Sequence, residues 1–467
     1  MPTEAVASRL WVLSDLHLAP PGELCVFQAH EGLTSLIDHL AACPVTNPPQ
    51  WLVLNGDVFD YLLIPGYNEL DLTLAVKRTG EILDALDAEP PARNVVQALR
   101  RLTARGHKLS CMPGNHDAEL NLAPVQEMLL NRLGSTTEMP PWNGEWRLEV
   151  AGHDVVGRHG HHGDAFNAIS AEMMLRAQAD GDEQASLPPG SRLVLQVINP
   201  FRRSKSADGT RRFPFIDSLP SEQAVLLAIM LLDPQLAAIR LPDALRIGAA
   251  ALLRKALRAS GLRRQQLSGA ATEQTLNVEA PTWLNTLGHL LGEVANDLEP
   301  AAKITIEHEV DAYFAGAASK ISGEGSGLLA KTGGVRGVLL EALSRSLKKS
   351  RSAFRSSQAD ALAKDAMETW GQGQIAVTGH THAARSLRSE QGSGAYINTG
   401  TWIDQVVPPE QMTAESISDW LDSLRRGDVP RWSGRPVARV DEKGPHLLSW
   451  DGQGLQTWVD PIAPEAT

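Results

Sequence analysis

Cysteine is scarce in this chain of 467 residues: Cys25, Cys43 and Cys111 stand without CxxC spacing. They cannot form a disulfide framework, and that usage suits a reducing compartment. Long apolar runs are lacking too. The longest, AVLLAIMLL at 224–232, is about half the length needed to cross a bilayer. The first strand-like run, 10–13, begins too near the start to leave room for a signal peptide. A soluble, cytoplasmic protein is expected. Positive charge is also short, with 43 Lys and Arg against 55 Asp and Glu, a net charge of −12. That balance argues against a general binder of nucleic acid or anionic membrane.

What is present suits a globular protein of two or three domains. Apolar residues make up 43%, enough for sizeable cores. Short β-rich runs recur, each ending in a polar turn: LWVLSD (10–15), WLVLNGD (51–57), HKLSCMPGN (107–115), DVVGRHG (154–160) and QIAVTGH (374–380). Helical patterns over 32–42, 70–86 and 92–105 separate the early ones, which predicts α/β layers around a buried sheet. Further strands are expected at AYINTGTW (395–402), PVARV (436–440), PHLLSW (445–450) and LQTWVD (455–460), as a second sheet completed by the C-terminus. From 171 to 371 the pattern becomes mostly helical, with 24 Lys and Arg against 22 Asp and Glu. The expected organisation is therefore a core in two parts, 1–170 and 372–467, around a helical insertion at 171–371.

Seven of the 14 histidines fall in four short clusters: His17; His116; His159, His161 and His162; and His380 and His382. With neighbouring carboxylates they form five motifs, Asp15-x-His17, Gly56-Asp57, Gly114-Asn115-His116-Asp117, His159-Gly160-His161-His162 and Gly379-His380-Thr381-His382. Each alone also reads as turn chemistry, a strand end or an adventitious histidine tract. Their shared placement at the ends of β runs, where open α/β sheets carry their sites, points to function instead. Carboxylate, imidazole and amide oxygen together suit borderline divalent metals.

The order of these motifs resembles the calcineurin-like metallophosphoesterase superfamily, over residues 9–168 and 373–405. The resemblance implies a four-layer αββα sandwich of two mixed sheets and a hydrolase of phosphate esters with two divalent ions, manganese, iron or zinc. One ion would take Asp15, His17 and His382, the other Asn115, His159 and His380, with Asp57 between them. His116 would face the substrate phosphate, held by Asp117, and Asp60 would orient its neighbours. HGHHGD (159–164) fits in two registers; the β run leading into His159 favours His159 as ligand over His162, leaving His161 beside it or facing the substrate.

SDLHL and YINTGTW also resemble UDP-2,3-diacylglucosamine pyrophosphohydrolases, which carry GNRD where this chain has GNHD and are about half as long. Other readings are a metal-dependent nuclease, disfavoured by the acidic core and the lack of an aromatic-interleaved basic stripe, and an inactive metal-binding scaffold. The helical insertion is expected to cap the site, with oligomerisation as its alternative role. Arg202 and Arg203, with Lys205, Arg211 and Arg212, could meet the substrate, a small phosphate ester. A second basic group, Arg254, Lys255, Arg258, Arg263 and Arg264, keeps a membrane-surface contact open; both groups also read as solvated faces. The glycine-rich stretch 323–337 reads as a hinge.

Overall fold

The computed structural model describes residues 6–67, 70–71, 73–134, 137–138, 145–164, 166–169, 184–185, 187–234, 236–237, 335–370, 373–389 and 394–462. The second basic group and residues 323–334 of the glycine-rich stretch lie outside them. The chain forms two compact units. One comprises Met1–Ser191, Ser352–Val407 and Arg431–Thr467, the other Arg192–Arg351 and Pro408–Pro430.

The first unit contains two mixed sheets. In one, Arg9–Leu13, Gln50–Asn55, Lys108–Met112 and Thr137–Glu138 run parallel in that spatial order. Near-continuous apolar strands such as Gln50–Asn55, buried at all six positions, are what parallel strands covered on both faces require. In the other sheet His153–Gly157, Ile375–Thr378 and Ala395–Thr399 run parallel, with Trp146–Val150 and Ala384–Arg388 antiparallel at their flanks. The apolar inner faces meet in one core that includes Val12, Val53 and Met112 from the first sheet and Val155, Val377 and Ile397 from the second.

Helices cover the outer faces. Val95–Ala104 packs on Lys108–Met112 and against His30–Ala41. Its start follows from Asn94, whose side-chain oxygen accepts the Gln97 amide at 2.8 Å. On the second sheet, Ala363, Ala366 and Trp370 of the segment around Ala361–Thr369 pack on Val156, Ala376 and Tyr396. The layers are therefore αββα.

One expectation is corrected. The strands Pro436–Asp441, Gly444–Trp450 and Leu455–Thr457 do not complete the second sheet. They extend the first one, antiparallel, because Pro436–Asp441 pairs with the open edge of Arg9–Leu13. By its contacts the second unit comprises Arg192–Arg351 and Pro408–Pro430, set beside the expected insertion 171–371. Residues 352–370 go with the first unit, where their apolar side chains cover the second sheet. Residues 408–430 go with the second unit, because the helix Ala414–Arg426 buries Ile417, Trp420, Leu421 and Leu424 on one face and packs on Val335–Arg351 and Glu222–Leu232. A reciprocal Thr413–Ser416 capping box starts it and left-handed Gly427 ends it. The apolar run 224–232 forms most of the buried helix Glu222–Leu232. Among the described residues no helix is long and apolar enough to cross a membrane.

Ile397 is fully buried between the sheets. Ile397→Ala should therefore lower stability by about 2–5 kcal/mol, measured by denaturant unfolding of the full chain. A loss under about 1 kcal/mol would mean that the two sheets do not share a close-packed core.

Candidate metal centre

Parallel pairing aligns the carboxyl ends of the strands, so the motifs that follow them gather at common edges. Arg9–Leu13 leads to Asp15 and His17, Gln50–Asn55 to Asp57 and Asp60, and Lys108–Met112 to Asn115, His116 and Asp117. In the second sheet His153–Gly157 leads to His159, and Ile375–Thr378 to His380 and His382. The loops then bond to one another. The His17 amide donates to the Asp57 carbonyl at 2.9 Å, the His116 amide to Asp57 Oδ1 at 2.8 Å, and the His380 amide to Asp15 Oδ2 at 3.0 Å. Gly379 N donates to the His159 carbonyl at 2.9 Å.

This convergence strains the backbone. Seven non-glycine residues among those described have positive φ, and five are Asp15, His17, Asp57, His380 and His382. Such conformations cost of order 1–3 kcal/mol each and persist where the surroundings over-determine them, commonly at functional sites. Close approach adds two glycine requirements. A Cβ on Gly56 would lie 2.5 Å from the His159 ring, and one on Gly114 would overlap Asp57 Oδ1.

Three groups of carboxylates and imidazoles are close enough to share one ion: Asp15, His17 and His382; Asp15, Asp57 and His159; and His17, Asp60 and His116. The hydrogen bonds settle which nitrogen of His17 and of His159 is free. His17 Nδ1 donates to Asp60 Oδ2 at 3.0 Å, so its lone pair is on Nε2, which lies 3.1 Å from His382 Nε2. His159 Nδ1 donates to the Asn55 carbonyl at 2.9 Å, so its lone pair is also on Nε2, 3.2 Å from Asp57 Oδ2. That nitrogen and the Asn115 Oδ1 are buried without a hydrogen bond. A lone pair facing a carboxylate, as His159 Nε2 faces Asp57, repels it unless positive charge lies between them. The protonation tendencies agree: burial opposes a charged His159, yet the Asp57 and Asp15 carboxylates raise it to about 9. The residues present fit a divalent cation.

Asp117 does not hold His116, contrary to expectation. Its carboxylate accepts the amides of Asp57 (3.2 Å), Val58 (2.8 Å), Phe59 (3.2 Å) and Gly114 (2.5 Å), which exhausts its acceptor geometry on two ligand loops. Burial, with the Asp57 charge, still pushes Asp117 up to about 7. The carboxylate beside His116 is Asp60, whose Oδ2 lies 3.0 Å from His116 Nδ1. Burial disfavours charge on His116, but Asp60 and Asp57 raise it to about 10.

The remaining expected residues are placed as follows. His380 Nε2 donates to Asp164 Oδ2 at 3.2 Å, and His380 belongs to none of the three groups. His161 is buried, its Nε2 donating to the Ile169 carbonyl at 3.2 Å, and its ring stacks on His162 at 4.0 Å. Burial pushes His161 well down and His162 down to about 4. Arg202 and Arg203 lie in the second unit. There Arg202 bonds Asp217 at 2.5 Å and also Asn199, while Arg203 is exposed. Asn398 has a part that motif reading did not assign. Its amide donates to the Gly379 carbonyl at 2.8 Å and to Thr381 Oγ1 at 3.1 Å, and its Oδ1 accepts Gly400 N at 2.9 Å. It thus pins the turn that carries His380 and His382. Its signal in sequence was the YINTGTW motif, which contains Asn398 without giving it a part.

An αββα sandwich with Asp and His motifs gathered at its strand ends is the arrangement that a metal-dependent phosphoesterase would need. Residues 8–180 match the family model of the calcineurin-like phosphoesterases, which supports the metallophosphoesterase superfamily for that part of the chain. No curated protein matches the chain.

The crowding at Gly114 is directly testable. Gly114→Ala should destabilise by about 1–3 kcal/mol through overpacking against Asp57. Thermal unfolding of the metal-free protein measures it, and an unchanged midpoint would refute the close approach.

Proposed function

We propose that the chain hydrolyses a phosphomonoester or phosphodiester with two divalent ions, manganese, iron or zinc, held at this centre. The carrying observation is the unbonded His159 Nε2 facing Asp57, with the Asp15, His17 and His382 side chains gathered beside it closely enough to share an ion. Asp15, His17 and His382 would hold one ion, Asn115, His159 and His380 the other, and Asp57 both. When bound, such ions acidify water and neutralise phosphoryl oxygens.

The chain's own residues do the rest. Asp60 orients His17 through its Nδ1 and lies 3.0 Å from His116 Nδ1 as a counter-charge, which favours a protonated His116 with a proton to deliver. His116 keeps about a fifth of its side chain exposed, 18%, which lets a substrate reach it. It gives that proton to the departing alkoxide or aryloxide oxygen as general acid. Asp117 acts on the backbone, holding the Asp57 and Asn115 loops in register.

Elemental analysis of protein loaded with Mn²⁺ or Zn²⁺ should give close to two ions per chain, and Asp57→Asn should lower both occupancies. One ion in the wild type, or two in the variant, would overturn the dinuclear reading. His116→Ala should keep its metal and lose about 10²–10⁴ in kcat on alkyl esters. Esters of p-nitrophenol, whose leaving group needs no proton, should lose far less. An equal loss on both would show that His116 does not protonate the leaving group.

A further inference from the structure

His380 is held at three points. Its backbone amide donates to both Asp15 carboxylate oxygens, at 3.0 and 3.1 Å, its φ is +71°, and its Nε2–H donates to Asp164 Oδ2 at 3.2 Å. Asp164 is itself fixed from the other side. Its Oδ1 accepts the Phe166 amide and its Oδ2 the Asn167 side-chain amide, both at 2.8 Å. Its backbone N donates to the His161 carbonyl at 3.0 Å and its carbonyl accepts Ala168 N at 2.8 Å. A short turn thus aims one carboxylate at one imidazole. A carboxylate can only accept from a ring N–H, so it selects the Nε2–H tautomer and places the lone pair on Nδ1.

We propose that Asp164 is a positioning residue for His380, fixing its tautomer and ring orientation so that Nδ1 is the atom offered to a metal. This rests on the two-metal reading above. Removing carboxylate partners of this kind typically weakens metal binding about 10–100-fold. The Asp164 carboxylate is spent on the His380 ring and on two amides of its own turn, so it acts through His380.

The test has two readouts. In metal-free, histidine-¹⁵N-labelled protein, long-range ¹⁵N–¹H correlation should show His380 as the Nε2–H tautomer, assigned by comparison with His380→Gln. Asp164→Ala should convert it to a tautomer mixture. Asn167→Ala, which removes only the neighbouring amide, should leave it unchanged. Titration with Mn²⁺ should then show one of two sites weakened about 10–100-fold in Asp164→Ala. Asp164→Asn, which keeps an acceptor oxygen without the charge, should be intermediate. If Asp164→Ala lowers thermal stability while tautomer and both affinities stay at wild-type values, Asp164 is only a turn residue and the proposal is overturned. A wild-type protein that binds fewer than two ions would instead count against the dinuclear reading, and the tautomer of metal-free protein would still decide the part of Asp164.

Discussion

Four carboxylates, Asp15, Asp57, Asp60 and Asp117, sit at most 3% exposed at the ends of three adjacent strands. Burying one unpaired charge is already costly, and burying several side by side adds mutual repulsion. The neighbourhood compensates them unequally. Asp117 takes four backbone amides. Asp60 has two imidazole Nδ1 atoms and the Leu62 amide. Asp15 has the His380 amide and the Ser14 hydroxyl. Asp57 accepts the His116 amide through Oδ1, while its Oδ2 faces the free nitrogen of His159. The residual negative charge is thus focused on Asp57 and Asp15, at the two groups where imidazole lone pairs also converge. Charge compensation among these four side chains explains why the surrounding loops must be so closely bonded.

Holding that arrangement depends on parts of the fold that never touch it. Three ligand loops come from one sheet and two from the other. Their separation is set by the inter-sheet core around Val12, Val53, Val377 and Ile397. Close-packed interiors transmit strain. The five left-handed residues are therefore supported by strands on both sides, which hold the turns to conformations that isolated segments would avoid.

Much of the candidate site was legible because its signals are local. A motif pair such as Asp15 and His17, or His380 and His382, is set by a spacing of two at a strand end. The apolar runs before them marked the strands Arg9–Leu13, Gln50–Asn55, Lys108–Met112, His153–Gly157 and Ile375–Thr378. What sequence could not carry was partnership at a distance. Asp117 adjoins His116 in the chain, yet the loop turns its carboxylate back onto backbone amides, and Asp60, 56 positions earlier, takes its place. The C-terminal strands failed for the same reason. Their apolar pattern says that they pair, but the open edge of Arg9–Leu13 decides with which sheet. The helix Ala414–Arg426 carried a readable amphipathic period, whereas the helices that receive its apolar face lie far back in the chain.

The 159–164 segment shows how fine that dependence is. Three histidines within four residues look interchangeable by composition, and each ring could offer either nitrogen. Two backbone carbonyls separate two of them. The Asn55 carbonyl occupies Nδ1 of His159 and leaves its Nε2 toward Asp57. The Ile169 carbonyl occupies Nε2 of His161, and His162 is committed to stacking on that ring. Ring orientation, not residue type, therefore distinguishes them. Asp164, the last residue of the same segment, performs the equivalent selection on His380 across the sheet. Each of these selections uses an acceptor that cannot itself donate, so it holds only while the imidazole keeps that ring N–H. Moving either acceptor would release the ring to its other tautomer and turn the lone pair away from the carboxylates.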